Sequence, residues 1–179
     1  MALVIIDIQN NYFEGGKIEL YKPTDAAQKA HKILKFFRKE NLPIFHVKHM
    51  FNIEGNAETV EELREIHKSV EPIECEKVIV KRKPSSFLGT DLQLNLKDAN
   101  VSKLIICGNM CIDTTVRAAQ DYGYEVVLLE DACTTKDLQT KHGVVSATVV
   151  HDVFMSALSD MFAKIMTVEE FINEFKNNV

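Results

Sequence analysis

Short aliphatic runs alternate with amphipathic segments along the chain, and this alternation restricts the fold more than any other feature. Such runs are typical of buried strands, and the predicted strands are 2–7, 43–47, 77–80, 103–107, 125–129 and 163–166. Apolar residues at helical spacing fill most of the intervals, and the predicted helices are about 24–41, 59–67, 91–97, 111–122, 144–158 and a last helix opened by the capping pair Thr167 and Glu170. Thr24 and Thr90 are the expected N-caps of two of these helices.

Strands and helices in alternation favour a parallel sheet that helices cover on both faces. We therefore predict an α/β fold with a three-layer, doubly wound (Rossmann-like) architecture and a mostly parallel sheet of about six strands. A chain of 179 residues is long enough to bury a substantial core without disulfides or metals, and we expect one domain over residues 1–179.

The composition of the chain restricts the kinds of molecule that it is expected to bind. A formal net charge of −5 argues against nucleic acid or an anionic membrane surface as a general partner. No apolar run approaches the roughly 18 residues of a membrane span. The chain has four cysteines without a CxxC spacing, which favours free thiols and a cytoplasmic location. A small molecule is the expected substrate, and no cofactor is expected.

Three chemically complementary residues stand where predicted strands end. Asp7 closes the first strand, Lys81 follows the third, and Cys111 follows the fourth by a short turn. In a doubly wound sheet, ligands bind beyond the carboxyl ends of the strands. An acid, a cation and a thiol are therefore expected together along one edge of the sheet.

Cys111 stands at a sharp strand-to-helix turn, a position that suits a nucleophile. The N-terminus of a helix carries partial positive charge and free N–H groups, so it can lower the pKa of a thiol and hold an oxyanion. Most free cysteines, however, are buried and inert. A reactive and a merely structural Cys111 are both compatible with its position alone.

Four segments resemble the isochorismatase-like cysteine hydrolases, in order and over nearly the whole chain. Residues 4–10 (VIIDIQN) are similar to the opening D-x-Q strand of that superfamily. Residues 81–92 (KRKPSSFLGTDL) resemble its K-x-R-Y-S-A-F-x-x-T-x-L stretch, and residues 111–119 (CIDTTVRAA) its C-V-x-T-T-x-R-x-A helix. Residues 121–133 (DYGYEVVLLEDAC) resemble the G-Y-x-V-x-x-x-x-D-A segment.

The resemblance implies a catalytic triad of Asp7, Lys81 and Cys111 that splits an amide or related C–N bond through a thioester. Lys83 is the alternative to Lys81. The candidate substrate-contacting residues are Gln9, Phe13, Phe87, Cys107 and Met110. The resemblance also implies a homodimer or homotetramer, for which residues 155–162 offer an apolar surface.

A metal site is not expected, because the D-x-H…H ligand set of the metal-binding nicotinamidases is not evident. His46 and His49 are the only pair that invites that reading.

The turn before Cys111 departs from the family pattern. Family members commonly have G-x-x-T-x-x-C, whereas only Asn109 and Met110 separate Gly108 from Cys111. Either Cys107 and Gly108 join the turn in a shifted register, or the oxyanion hole is incomplete. Two alternatives to amide hydrolysis therefore stay open: an isochorismatase-type vinyl-ether hydrolase, and a catalytically silent binding or assembly protein on the same scaffold.

Overall fold

The computed structural model describes residues 1–52 and 54–177. The strands in this part are β1 (Ala2–Ile6), β2 (Ile44–His49), β3 (Lys77–Lys81), β4 (Lys103–Asn109), β5 (Glu125–Thr134), β6 (Leu138–Thr140), β7 (Gly143–Val145) and β8 (Lys164–Met166). The helices are α1 (Pro23–Lys39), α2 (Ala57–Arg64), α3 (Leu92–Asp98), α4 (Ile112–Asp121), α5 (Ala147–Ser159) and α6 (Val168–Asn177). None of these helices is long and apolar enough to cross a bilayer.

Six of the strands form one parallel sheet in the order β3-β2-β1-β4-β5-β8. The chain moves outward from β1 to β3 and then returns to place β4 on the other side of β1, as a doubly wound sheet does. Helix α1 packs against α6, and α4 packs against α5, so that helices cover the sheet. The predicted α/β architecture is confirmed. The change of direction between β1 and β4 brings Asp7 and the turn before α4 to one crevice.

The complete burial of β1 follows from its sequence. All five of its residues are apolar and buried, as expected of a central strand that is covered on both faces. Its neighbour β4 is equally buried from Leu104 to Asn109. The edge strand β3 exposes Val78 and Val80 while it buries Ile79 and Lys81. This alternation turns the Lys81 side chain inward, toward the end of β1.

Several predicted boundaries are wrong for local physical reasons. Residues 144 and 145 belong to a β6–β7 hairpin instead of the helix predicted over 144–158, because β-branched valines follow Gly143 there and Ser146 provides the N-cap of α5. Helix α1 begins at Pro23 after a left-handed Lys22, so Thr24 is not its cap. Thr90 does accept a bond from the first N–H of α3, at 3.3 Å.

The predicted capping pair of the last helix is confirmed. Glu170 accepts hydrogen bonds from the Thr167 N–H and hydroxyl, both at 2.8 Å, and Thr167 accepts the Glu170 N–H at 3.2 Å. The apolar surface predicted over 155–162 is only partly exposed, because Met155 and Leu158 pack in the core. The exposed apolar side chains near α5 are Val149, Val153, Phe154 and Met161. Self-association stays a prediction.

Candidate active site

A buried ion pair joins the ends of β1 and β3. The Lys81 Nζ lies 2.8 Å from Asp7 Oδ2, and neither side chain has any solvent exposure. Lys81 also donates to the Pro84 carbonyl at 2.8 Å, which fixes its ammonium. Lys83, the alternative cation, is exposed. The structure therefore places Lys81, and not Lys83, beside Asp7.

Asp7 adopts a conformation that few non-glycine residues take. Its φ is +56°, in the left-handed region that aspartate tolerates better than most residues. Its N–H donates to the Val47 carbonyl at 3.0 Å, and its carbonyl accepts the Gln9 N–H at 3.0 Å. These bonds hold the turn that directs the carboxylate across the end of the sheet. Backbone outliers of this kind cluster at functional sites.

Cys111 is the N-cap residue of α4, where the chain leaves β4. Its Sγ, an Asp7 carboxylate oxygen and a ring nitrogen of His49 all lie within 4.8 Å of one another. His49 ends β2, and its Nδ1 is 3.9 Å from Asp7 Oδ2. The carboxyl ends of four strands thus bring an acid, a cation, a thiol and an imidazole together. His49 is the member that the sequence reasoning did not assign.

The environment reverses one expectation about the thiol. Burial raises the pKa of Cys111 to about 11, the charge of Asp7 adds to this, and Lys81 opposes it. Lys81 therefore favours the thiolate, but burial and Asp7 outweigh it, and the lowered pKa expected for a thiol at a helix N-terminus is not found in the resting site. Burial also raises the pKa of Asp7 to about 6, although Lys81 favours its ionised form. Near neutral pH the site contains an ionised Asp7 beside a protonated Cys111.

The turn between β4 and α4 is tight and already hydrogen-bonded. Met110 has a φ of +53°, its N–H donates to the Thr134 carbonyl at 3.3 Å, and the Cys111 N–H donates to the Asn109 carbonyl at 2.6 Å. Cys107 and Gly108 stay in β4, paired with Ile5 and Ile6 of β1. The N–H groups of Met110 and Cys111 are therefore both committed to carbonyls inside the protein, and a shift of Cys107 and Gly108 into the turn does not occur.

Gly108 explains how β4 can run so far before the turn. Its φ is +134°, and a Cβ at this position would stand 1.9 Å from the Ile6 carbonyl oxygen. The pairing of β4 with β5 is irregular here, because Ile106 pairs with Leu128 whereas Gly108 pairs with Cys133. A bulge in β5 therefore lets the shortened segment reach α4 without breaking the sheet.

A cavity of about 400 Å³ opens onto Cys111. Its lining is largely apolar and aromatic, as in many small-molecule sites. The residues that line it are Asn11, Tyr12, Lys17, Ile18, His49, Phe51, Asn52, Glu54, Met110 and Cys111. Of the predicted substrate-contacting residues, Met110 alone belongs to this lining.

The other predicted contacts lie in the framework of the site. Gln9 is buried, accepts the His49 N–H at 2.9 Å and donates to the His49 carbonyl at 3.0 Å, so its amide holds the end of β2. Phe13 stacks on His67 with ring centroids 3.7 Å apart. Phe87 packs against Tyr122 and Tyr124.

Cys107 is fully buried within β4. Gln9, Phe13, Phe87 and Cys107, which the resemblance puts at the substrate, do not line the cavity at Cys111, and their contact with a substrate stays a prediction.

Tyr12 and Phe51 are the cavity residues that the sequence reasoning passed over. Tyr12 ends a 3₁₀ turn (Asn10–Tyr12) that begins three residues after Asp7. The resemblance points to the adjacent Phe13, and only the geometry of that turn decides which of the two aromatic residues lines the cavity. Phe51 follows β2 in a segment without regular structure, where sequence periodicity gives no signal.

The two histidines that invited a metal reading do not act together. His46 is buried, and its Nε2 lies 2.8 Å from the Glu76 carboxylate, at the amino-terminal half of β2. His49 lies instead with Asp7 and Cys111, a donor set that a thiophilic metal can use. The Lys81 ammonium already occupies one side of Asp7 at 2.8 Å, however, and a second cation there would be repelled.

Comparison with known proteins agrees with this geometry. The chain is 46% identical over 178 residues to the isochorismatase family protein YddQ of Bacillus subtilis, covering 96% of this chain and 98% of that protein. An isochorismatase of Pseudomonas putida is 35% identical with a TM-score of 0.89, over 94% and 88% of the two chains. A streptothricin hydrolase of Streptomyces noursei is 26% identical over 170 residues, 91% of this chain and 58% of that protein. Residues 1–170 match the isochorismatase domain, and the chain belongs to the isochorismatase family of hydrolases.

Proposed function

We propose that this chain is a cysteine-dependent hydrolase that splits the C–N bond of a small amide, ureido or carbamoyl compound through a thioester, with Asp7, Lys81 and Cys111 as the catalytic triad. One observation carries the proposal: the wholly buried Asp7–Lys81 ion pair lies beside a thiol that opens onto a cavity of about 400 Å³. Burying two charges is unfavourable unless hydrogen bonds satisfy them fully, and ionisable groups in such perturbed surroundings concentrate at functional sites. Cavities of this size suit small molecules.

Asp7 is suited to begin the reaction as a general base. Its pKa of about 6 leaves it mostly ionised at neutral pH yet basic enough to accept a proton. When the thiol proton moves to Asp7, the Lys81 ammonium and the N-terminus of α4 stabilise the thiolate that results. The Sγ then forms a bond to the substrate carbonyl carbon, and the electron pair of the C=O bond moves onto oxygen.

The same carboxyl group completes the cycle. Collapse of the tetrahedral intermediate breaks the C–N bond, and the leaving nitrogen takes the proton that Asp7 holds. Asp7, ionised again, accepts a proton from the water that attacks the thioester, and the restored Cys111 thiol regains its proton from Asp7. The high pKa of Cys111 in the resting site means that its proton moves during the reaction instead of being lost beforehand.

The comparisons support the reaction class without specifying the substrate. A relative named for the hydrolysis of streptothricin favours hydrolysis of a small molecule by this chain too. A catalytically silent binding protein is the second candidate, favoured by the commitment of the Met110 and Cys111 amides to internal carbonyls. We propose a cytoplasmic location on the basis of the four free thiols.

Ammonia release from a panel of amides tests the proposal. Nicotinamide, a ureidoacrylate, a carbamoylated amine and simple aliphatic amides are offered to the wild type, to Cys111→Ala and to Cys75→Ala, which replaces an exposed free cysteine. We expect release by the wild type and Cys75→Ala, and a fall of at least about 10⁴-fold in Cys111→Ala. Release that survives in Cys111→Ala would refute the thioester route. No release from folded wild type would favour the silent binding protein.

A further inference from the structure

The proposed reaction needs a hydrogen-bond donor that the backbone N–H groups of Met110 and Cys111 do not offer. The carbonyl oxygen becomes an oxyanion when Cys111 attacks, and preorganised donors at that oxygen are usually the largest catalytic contribution. In this chain the Met110 and Cys111 N–H groups donate to the Thr134 and Asn109 carbonyls. A side chain that lines the cavity can supply a further donor, and this inference rests on the proposed function.

Tyr12 is held rigidly at the wall of this cavity. The residue is only 5% exposed, and its ring packs edge-on against Phe51, with centroids 5.8 Å apart. Its N–H donates to the Gln9 carbonyl at 3.0 Å, and its carbonyl accepts the Leu20 N–H at 3.1 Å. Packing and backbone bonds therefore fix the ring before any substrate binds, as an oxyanion-stabilising group requires.

The Tyr12 hydroxyl has no hydrogen-bond partner among the residues that the structure describes. Tyrosine hydroxyls usually bind a partner, and Tyr12 lines the same cavity as Cys111 and His49, where a substrate would provide one. Burial, followed by the charges of Asp7 and Cys111, raises the pKa of Tyr12. The phenol therefore keeps its proton throughout the cycle, and it is close enough to the reacting groups to sense both of their charges.

We propose that the Tyr12 hydroxyl donates a hydrogen bond to the carbonyl oxygen of the substrate and stabilises the oxyanion that forms there. The phenol proton stays on Tyr12 throughout, while the proton of the Cys111 thiol passes through Asp7 to the leaving nitrogen. Tyr12 thus supplies from the turn after β1 what the shortened turn before α4 withholds. It acts on the substrate oxygen and not on the thiol.

The Tyr12→Phe variant removes this one oxygen and keeps the ring that packs on Phe51. With the best amide from the panel, we expect kcat to fall on the order of 10²-fold and KM to change less than about threefold. Tyr124→Phe removes the hydroxyl of another buried tyrosine, which packs against Phe87 outside the cavity, and is the matched control. Its kcat is expected to equal that of the wild type.

Alkylation of Cys111 by iodoacetamide tests whether Tyr12 acts on the substrate oxygen or on the thiol. This reaction forms no oxyanion, so Tyr12→Phe should alkylate at the wild-type rate, followed at the Cys111 peptide by mass spectrometry. A Tyr12→Phe variant with wild-type kcat overturns the proposal, and so does a variant in which alkylation falls as much as kcat. A wild type that hydrolyses no amide overturns the proposed function and this inference together, whereas an active wild type leaves Tyr12 to be judged alone.

Discussion

Two clusters of buried charge lie at opposite edges of the same sheet. The carboxyl-edge cluster consists of Asp7, Lys81 and Cys111, and the amino-edge cluster consists of Arg38, His46 and Glu76. Each contains one carboxylate and one permanent cation. They differ in how well the carboxylate is hydrogen-bonded, and this difference separates a group that stabilises the fold from a group that is ready to react.

The amino-edge cluster satisfies its carboxylate. Glu76 accepts from Arg38 Nε at 2.7 Å and Nη2 at 2.9 Å, from His46 Nε2 at 2.8 Å and from the Ile73 N–H at 3.1 Å. Burial favours the neutral acid, but these bonds outweigh it and lower the pKa of Glu76. Its charge is therefore secured, and the cluster ties α1 to β2 and to the segment before β3.

The carboxyl-edge cluster leaves its carboxylate in a less favourable state. Asp7 has Lys81 at 2.8 Å and the Cys111 thiol nearby, yet burial prevails and raises its pKa to about 6. Perturbed groups of this kind concentrate at functional sites, where stability is given up for reactivity. Burial of a charge pair alone does not distinguish the two clusters, whereas incomplete hydrogen bonding of the carboxylate does, and this second property is the one expected of a reactive site.

Replacing Lys81 should have the largest effect on stability. Lys81→Met leaves Asp7 buried without its cation, and removal of one partner of a buried pair typically costs about 3–5 kcal/mol. The double variant Asp7→Leu/Lys81→Met removes both charges and should recover most of that loss. Urea unfolding measures the free energy of unfolding of both variants. The control is Lys83→Met at an exposed position, whose free energy of unfolding is expected within about 0.5 kcal/mol of that of the wild type. A double variant as unstable as Lys81→Met would show that the pair stabilises the fold as such.

Replacing Glu76 should affect stability alone. In Glu76→Gln an amide N–H₂ faces Arg38, one charge-assisted interaction is lost, and we expect a destabilisation of about 1–3 kcal/mol. Since the cluster lies at the other edge of the sheet, kcat of the folded variant should stay within about twofold of wild type. Urea unfolding and ammonia release are measured on the same preparation. A large loss of kcat in the folded variant would mean that the two clusters are coupled.

Much of this arrangement is predictable from the sequence, because the rule that parallel strands end at one edge needs only the order of the elements. Asp7, Lys81 and Cys111 each follow a recognisable aliphatic run, so their meeting follows from topology. The amino-edge cluster was not predicted. Its members come from three unrelated kinds of element, and no periodicity relates them. His46 lies in a strand, Glu76 in a loop and Arg38 near the end of a helix.

The lining of the cavity and the state of the thiol depend on quantities that sequence patterns do not carry. Tyr12 and Phe13 are neighbours, and a 3₁₀ turn decides which of them faces the cavity. The family resemblance predicts Gln9 at the substrate, whereas its amide hydrogen-bonds to the backbone of His49. The pKa of Cys111 is a balance of burial against Lys81 and the helix, and burial can be assessed only once the whole fold is known.

The pH dependence of kcat/KM distinguishes the role of Asp7 from that of Glu76. The expected change in activity is the smallest of those predicted here. Asp7 accepts the thiol proton only when ionised, and its pKa is about 6. Activity should therefore be constant around neutral pH and fall about tenfold for each pH unit well below 6, since kcat/KM reports groups of the free enzyme. Glu76→Gln should keep this midpoint, because Glu76 accepts no proton in the reaction.

The same profile tests which group limits the reaction on its alkaline side. If Cys111 had to be ionised before substrate bound, activity would continue to rise through the alkaline range toward the pKa of the buried thiol, about 11. In our mechanism Asp7 removes the proton during attack, so no such rise is expected. A profile that keeps rising above neutral pH would transfer the role of Asp7 to a preformed thiolate. A midpoint near 6 that Glu76→Gln leaves unchanged would assign the reacting carboxylate to Asp7, whose hydrogen bonding is incomplete, and not to Glu76.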